Sequence, residues 1–330
     1  MSITRTDAPG GRAALPALSR AVLTDCVRTA TAAPSLHNSQ PWRFRITGDG
    51  VDVYTDSGRR LDVLDPAGRE LLISVGAALF TLRLAIRRKG FRPVFALFPD
   101  AEDAGLVARV AVGPPAAATP AVEALAAAVA HRHTNRWPFA QTAVPGVALS
   151  HLRDAARREG AVLAVAGPTA RDAIVRLSQV ANRRLQTRAG YRAERSRWTV
   201  PRRRDGVPRS AVGPWDALET VPVRDFGLLP PHAATGAFEP YPTLLVLATE
   251  GDGRTQWVTA GQALQRVLLT ATWQNLATTP ISQPIEVPAI RRLLSAAAEG
   301  RWAQMIIRIG YGRQVVATPR RRLSEVLVQP

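Results

Sequence analysis

The sequence predicts an α+β fold in which two similar sheet-plus-helix domains, tandem-duplicated, pack as an intramolecular pseudo-dimer. Length is the first reason, since 330 residues make about two ordinary domains of ~100–200 residues. The second is an internal repeat. Arg69-Glu70-Leu71-Leu72-Ile73-Ser74-Val75-Gly76-Ala77-Ala78-Leu79 aligns with Arg254-Thr255-Gln256-Trp257-Val258-Thr259-Ala260-Gly261-Gln262-Ala263-Leu264 at a single offset of 185, with Arg, Gly, Ala and Leu coincident and Ser facing Thr. Leu82 and Leu84 then fall on Val267 and Leu269. The third is the glycine inside each of these helices, which costs ~1 kcal/mol of helix stability and permits close helix approach in return.

Residues 1–15 are rich in Gly, Pro and Ala and read as a flexible arm; 16–118 form the first half and 119–330 the second. Leu15 to Ala33 has helical spacing, with apolar Leu18, Val22, Cys26 and Val27, and stops before Pro34. Trp42–Ile46 and Val51–Tyr54 alternate around Gly48-Asp49-Gly50 and read as a hairpin. An amphipathic helix is expected from Asp65 to Lys89, closed by Gly90, then strands at Arg92–Phe98 and Leu106–Val112. A Pro/Ala hinge at Gly113–Pro120 opens a helix towards His131. The second half offers helix at Gly146–Glu159, strand at Ala161–Val165 and helix from Thr169 into the 180s. Tyr191–Pro222 loses periodicity and is rich in arginine and proline, the pattern of a long irregular segment such as a lid. A buried strand at Tyr241–Thr249, helices at Asp252–Leu276 and Val287–Ala298, a strand at Ala303–Ile309 and a basic tail complete the chain.

Composition narrows the function. Hydrophobic residues at 46% and charged residues at 21% are globular values. No run approaches the ~18 apolar residues of a membrane span, and arginines interrupt any N-terminal apolar stretch, so a cytoplasmic protein is expected. Cys26 is the lone cysteine, which excludes an intramolecular disulfide framework and a cysteine-based zinc site. The net charge of +17 comes almost wholly from arginine, Lys89 being the sole lysine. Arginine suits phosphate and carboxylate, but no nucleic-acid fold signature accompanies it. A Rossmann fingerprint, a Walker loop, a Gly-x-Ser-x-Gly elbow and metal spacing among the histidines are also missing.

Four segments carry the candidate chemistry: Ala33-Pro34-Ser35-Leu36-His37-Asn38-Ser39-Gln40-Pro41-Trp42; Arg132-His133-Thr134-Asn135-Arg136; Thr279-Pro280-Ile281-Ser282; and Ile309-Gly310-Tyr311-Gly312 followed by Pro319-Arg320-Arg321-Arg322-Leu323. In this order they resemble the Pro-Ser loop, phosphate motif, ring-facing loop and closing strand with basic tail of FMN-dependent nitroreductases. The form with two fused halves is most similar to the Acg-like group of actinobacterial homologues. The resemblance runs from about Thr31 to Val328, with Tyr191–Pro222 its least typical part.

The resemblance implies a nitroreductase-like fold with a degenerate first half, and FMN as cofactor, with NAD(P)H as a possible electron donor. Arg132, Arg136, Arg320 and Arg322, with His133 and Thr134 beside them, would grip the phosphate through charge-assisted hydrogen bonds. Asn38 and Gln40 would meet the flavin's polar edge, Pro34 and Ser35 would set the turn beneath the ring, and Pro280, Ile281 and Ser282 would approach it. Turn chemistry is the other reading of Asn38 and Gln40, and a solvated face that of the arginines. Each complementary motif occurs once, so one flavin site per chain is implied. The function implied is two-electron transfer to a small-molecule acceptor. FMN storage behind a lid, or a specialised flavin oxidase or dehydrogenase in biosynthesis, stands as the alternative. No nucleic-acid or membrane partner is expected, and the chain is either a monomeric pseudo-dimer or a homodimer.

Overall fold

The computed structural model of the chain describes residues 18–199, 204–224, 226, 235–298 and 300–328. The arm expected at 1–15 lies outside them. In the first half, α1 (Arg20–Ala30) precedes the hairpin β1 (Trp42–Ile46) and β2 (Gly50–Thr55), then α2 (Arg69–Arg88), β3 (Phe91–Leu97) and β4 (Leu106–Pro115). After α3 (Pro120–Ala128) the second half runs α4 (Gly146–Arg158), β5 (Val162–Val165), α5 (Pro168–Thr187), α6 (Tyr191–Arg197), β6 (Thr243–Thr249), α7 (Arg254–Trp273), β7 (Ala277–Ile281), α8 (Pro288–Ala297) and β8 (Trp302–Gly310). A last turn, α9, spans Leu323–Val326.

Two four-stranded sheets have one topology, β1-β2-β4-β3 and β5-β6-β8-β7, each antiparallel throughout. The α+β pseudo-dimer is therefore the observed architecture. Its axis passes between α2 and α7, two helices of 20 residues that keep the offset of 185 from first residue to last. A Cβ on Gly76 would lie 2.3 Å from the Val258 carbonyl oxygen, and one on Gly261 would lie 2.0 Å from that of Ile73. The contacts are reciprocal, because Ile73 and Val258 are themselves equivalent. Seventeen residues of α2 are buried, around its whole circumference, as a helix packed between its own sheet, α1 and α7 requires. β1, β2 and β4 close a core around Trp42, Phe44, Val53 and Val110, and β6 and β8 close another around Leu245, Leu247 and Ile307. The C-terminal tail returns to the first sheet, where Val328 N donates to Phe44 O at 2.8 Å.

Three elements differ from expectation. α2 begins at Arg69 rather than Asp65, because the Asp65 carboxylate accepts from Leu71 N at 2.8 Å and stays outside the helix. Tyr191–Arg197 is helical, so the irregular segment starts after it. Thr279, Pro280 and Ile281, read as a loop, belong to β7, which pairs with β8. β7 is an edge strand of its sheet, the position that tolerates a residue without an N–H.

Candidate active site

A partly open cavity lies at the seam between the halves. α2 gives it Glu70, Ile73, Ser74 and Ala77, α7 gives Leu264, and β8 gives Met305. The turn before β1 adds Pro34, Ser35, Leu36 and His37. That turn is held by Ser35 Oγ accepting from Gln40 N at 2.9 Å and Ser74 Oγ accepting from Leu36 N at 3.3 Å. His37, Asn38 and Gln40 all have positive φ, near +50°. Backbone strain of this kind in three non-glycine residues is a recognised mark of functional loops.

Thr134 and Arg136 reach the cavity from a segment laid along β7, with Thr134 bridged to Thr278 and Asn135 N donating to Thr278 O at 2.9 Å. Thr279, Pro280, Ile281, Ser282 and Gln283 line the wall beside them. The roof is Pro222, Val223, Arg224 and Phe226. Arg224 donates to Ser282 Oγ and pairs with Glu286. Burial works against its charge, yet Glu286 and Tyr191 hold its pKa above the usual value.

Three other guanidiniums have no carboxylate partner among the described residues. Arg132 is buried and donates to Ala32 O at 3.3 Å, while its Nε has no hydrogen-bond partner. Arg320 donates to Thr31 O, Ala32 O and Asn38 Oδ1. Arg136 donates to Ala211 O at 2.9 Å and lies 5.0 Å over the Phe226 ring. Burial pushes Arg132 down to about 9, with Arg320 adding repulsion. Burial and Arg224 push Arg136 down to about 10, and burial alone takes Arg320 to about 10. Buried cations that repel one another are costly unless an anion joins them. His37 is driven well below its usual pKa by burial and by Arg224, Arg136 and Arg195, and neither ring nitrogen has a protein partner. A neutral imidazole with unspent hydrogen-bonding capacity therefore faces the cavity.

Of the residues selected from sequence, Pro34, Ser35, Thr134, Arg136, Pro280, Ile281 and Ser282 line the cavity. Arg132 and Arg320 sit at the Thr31–Ala33 carbonyls, immediately before Pro34. Asn38 and Gln40 do something else. Asn38 Nδ2 donates to Gly206 O and Pro319 O, and Gln40 Nε2 donates to Arg204 O while its Oε1 accepts from Arg321 N. They tie both the irregular segment and the tail to the turn. His133 lines a separate surface depression with His131 and Arg313. Arg322 is exposed at the start of α9, with its N–H on Glu325. Arg320 and Arg321 turn inward instead, the latter onto Asp56.

His37, Glu70, Arg224 and Phe226 were not selected. His37 stood inside a chosen motif. Glu70 stood inside the repeat, where its counterpart Thr255 already marked it as different. Nothing local marks Arg224 and Phe226, since their role depends on where an irregular segment comes to rest.

Across the intramolecular axis one lining position has a bulkier side chain. Gln262 replaces Ala77 and accepts from Arg83 at 2.6 Å, and Arg83 joins Glu159 and Arg266 in an ion-pair network. The described residues include no group of side chains suited to a metal ion and no helix long and apolar enough to cross a membrane.

A fused pair of like α+β halves with an arginine-lined cavity at the seam defines the class, and comparison gives it a name. The Nitroreductase family profile matches residues 129–311, more than half of the chain, and the chain belongs to the nitroreductase family. It is 33% identical over 321 residues to "Putative NAD(P)H nitroreductase Rv3131" of Mycobacterium tuberculosis, covering 94% of this chain and 91% of that one. It is 29% identical over 313 residues to "Putative NAD(P)H nitroreductase acg" of the same organism, covering 92% and 95%. Among solved structures, the FMN-dependent nitroreductase NfnB from Mycobacterium smegmatis in complex with NADPH aligns at 16% identity and a TM-score of 0.39, over 62% of this chain and 96% of that one.

Proposed function

We propose that the protein is an FMN-dependent oxidoreductase of nitroreductase type, holding one FMN per chain at the seam and passing two electrons from NAD(P)H to a small-molecule acceptor. The observation that carries this reading is a set of cationic donors with no carboxylate partner among the described residues: Arg136 in the cavity lining, and the buried pair Arg132 and Arg320 at the Thr31–Ala33 carbonyls that lead into Pro34. A phosphate fits that demand. Bound FMN supplies reversible two-electron chemistry at its ring; the protein supplies position and electrostatics. Arg132, Arg320 and Arg136 with Thr134 would hold the phosphate. The apolar surfaces of Ile73, Ala77 and Leu264 would bed the ring, with Ser35, Ser282 and His37 offering polar contacts at its edge. Acid extraction of purified protein is expected to yield one FMN per chain. FAD, two flavins or none would overturn the reading.

Arg136→Ala is expected to weaken FMN affinity by ~1.5–3 kcal/mol, the range for a hydrogen bond to a charged group. Flavin fluorescence during titration of the apoprotein checks it. Unaltered affinity with lowered thermal stability would make Arg136 a fastener of Ala211 alone.

The segment 204–226 supports the further reading that it gates the cavity. Val207, Val212, Val221 and Phe226 are buried in it, so it adds core as well as cover. Gly213, at φ +81°, brings it within 2.4 Å of the Arg136 carbonyl, measured from a notional Cβ. It is fastened by an Arg59–Asp205 ion pair, in which Arg59 is itself held by its Nε donating to Ser39 O at 2.7 Å. Arg59→Ala is expected to raise the open fraction about tenfold, for a loss of ~1.4 kcal/mol. Stopped-flow reduction by NADPH would then quicken if the closed segment stores FMN. A rate equal to that of the intact protein would remove the gating role.

A further inference from the structure

We propose that Glu70 is a proton relay, passing protons from a second, outer cavity to the inner cavity at the seam. This rests on the reading of the inner cavity as the site of two-electron transfer. Glu70 is the one described residue common to both linings. The outer cavity lies before α8 and is bordered by Asp65, Arg69, Glu286 and Arg291. Glu70 is itself 3% exposed, so it is a carboxyl group in a wall between two spaces rather than a surface charge.

Its surroundings suit a group that holds and releases a proton. Arg69 Nη2 donates to Glu70 Oε1 at 2.6 Å from the same helix. Asp65 faces it from the turn before α2, Glu286 from the segment before α8, and Arg224 from the roof; Arg291 bears on it through Arg69. Glu286 has one oxygen on Arg224 and leaves Oε2 buried with no partner. Asp65, Glu70 and Glu286 thus stand close together with Arg69 and Arg224, an arrangement in which burial and like charge favour the protonated form of Glu70. Burial pushes Glu70 up to about 8, with Arg69 pulling against it and Glu286 and Asp65 reinforcing the rise. Packing does not demand the acid, because the same position across the axis is Thr255.

The stoichiometry asks for such a group. A nicotinamide donor delivers two electrons and one hydrogen nucleus as hydride, whereas an acceptor A leaves as AH2. One proton per turnover must come from elsewhere: NAD(P)H + H⁺ + A gives NAD(P)⁺ + AH2. Glu70 breaks its O–H bond to give that proton to the acceptor, becomes a carboxylate, and regains a proton from water in the outer cavity. No residue changes oxidation state.

The stability sign follows from the same shift. Glu70 binds its proton more tightly in the folded chain, so the stability this adds is full below 4.5 and is lost as pH rises towards about 8. Glu70→Gln should flatten that decline.

The test compares wild-type holoprotein with Glu70→Gln. Infrared difference spectra should show a protonated-carboxyl stretch that fades as pH passes about 8 and is missing from the variant. In stopped flow, the acceptor half-reaction of the variant should slow by ~10²-fold, the lower end for loss of a general acid, and lose its solvent deuterium effect. The donor half-reaction should slow far less. A band that survives in Glu70→Gln, or an acceptor half-reaction at the wild-type rate, overturns the proposal. If the glutamine variant does not fold, Glu70→Asp serves: a band that moves in frequency assigns the proton to this residue, and one that stays overturns it. Protein that retains no FMN would sink the reading of the cavity, while the infrared titration would still decide whether Glu70 exchanges its proton near neutrality.

Discussion

Replacing Glu239 with alanine is expected to destabilise the protein by about 3–5 kcal/mol, the range for stranding one partner of a buried ion pair. Arg308 on β8 is wholly buried and meets Glu239 in a two-pronged pair, Nε to Oε1 and Nη2 to Oε2, each at 2.6 Å. The guanidinium also donates to Trp137 O and stacks on Phe139 with its carbon 3.6 Å from the ring centroid, while Phe139 N donates to Glu239 Oε2. One fork therefore anchors the stretch immediately after Arg136 to the second sheet. Urea denaturation should show a lower midpoint with an unaltered slope, and FMN affinity should fall with it because Thr134 and Arg136 lose their mooring. The double variant Arg308→Met/Glu239→Leu should recover part of the stability, since an apolar pair leaves no charge behind while Phe139 N and Trp137 O lose their partners. A single variant as stable as the wild type would show that water reaches Arg308.

Gly261→Ala is expected to cost ~1–3 kcal/mol or more from overpacking, although alanine is the better helix former by ~1 kcal/mol. The new methyl would sit 2.0 Å from Ile73 O and 2.9 Å from Gly76 Cα. Both obstacles are backbone, so no side-chain rotation relieves the clash and α2 must move from α7. Ile73, Ser74, Ala77 and Leu264 stand on these two helices and line the cavity, so flavin retention should drop along with the denaturation midpoint. Gly48→Ala, where nothing lies within 4 Å of the added carbon, is the control and should behave as wild type. Equal midpoints for the two variants would mean that the helix pair is looser than its geometry states.

Much of this architecture was legible because it repeats. Arg69 to Leu79 against Arg254 to Leu264 carried the pairing of α2 with α7, down to the facing glycines, since only a small residue lets two backbones meet. The hairpin at Trp42–Tyr54 was legible from alternation around Gly48-Asp49-Gly50. β7 was hidden for a physical reason: Ala-Thr-Thr-Pro-Ile offers neither alternation nor a full set of donors, and the edge strand owes its existence to β8. At the site, residues within short motifs could be picked out one by one, but their directions could not. Arg320, Arg321 and Arg322 are adjacent in sequence, yet they go to the Thr31–Ala33 carbonyls, to Asp56 and to solvent. Arg224 and Phe226 were illegible altogether, because a segment without periodicity gives no sign of which cavity it will roof.

The returning tail sets an order on how the protein is made. Arg320 meets the Asn38 side chain across 282 positions, and Val328 closes on Phe44. The first sheet can form while the second half is still in the ribosome, but the cationic cluster cannot assemble until residue 320 has been synthesised. Long-range closure of this kind is slow, because chain entropy must be lost before the contacts that reward it exist. A nascent chain that has not yet reached residue 320 thus holds Arg132 without Arg320, and the turn before β1 waits for a partner made 282 residues later.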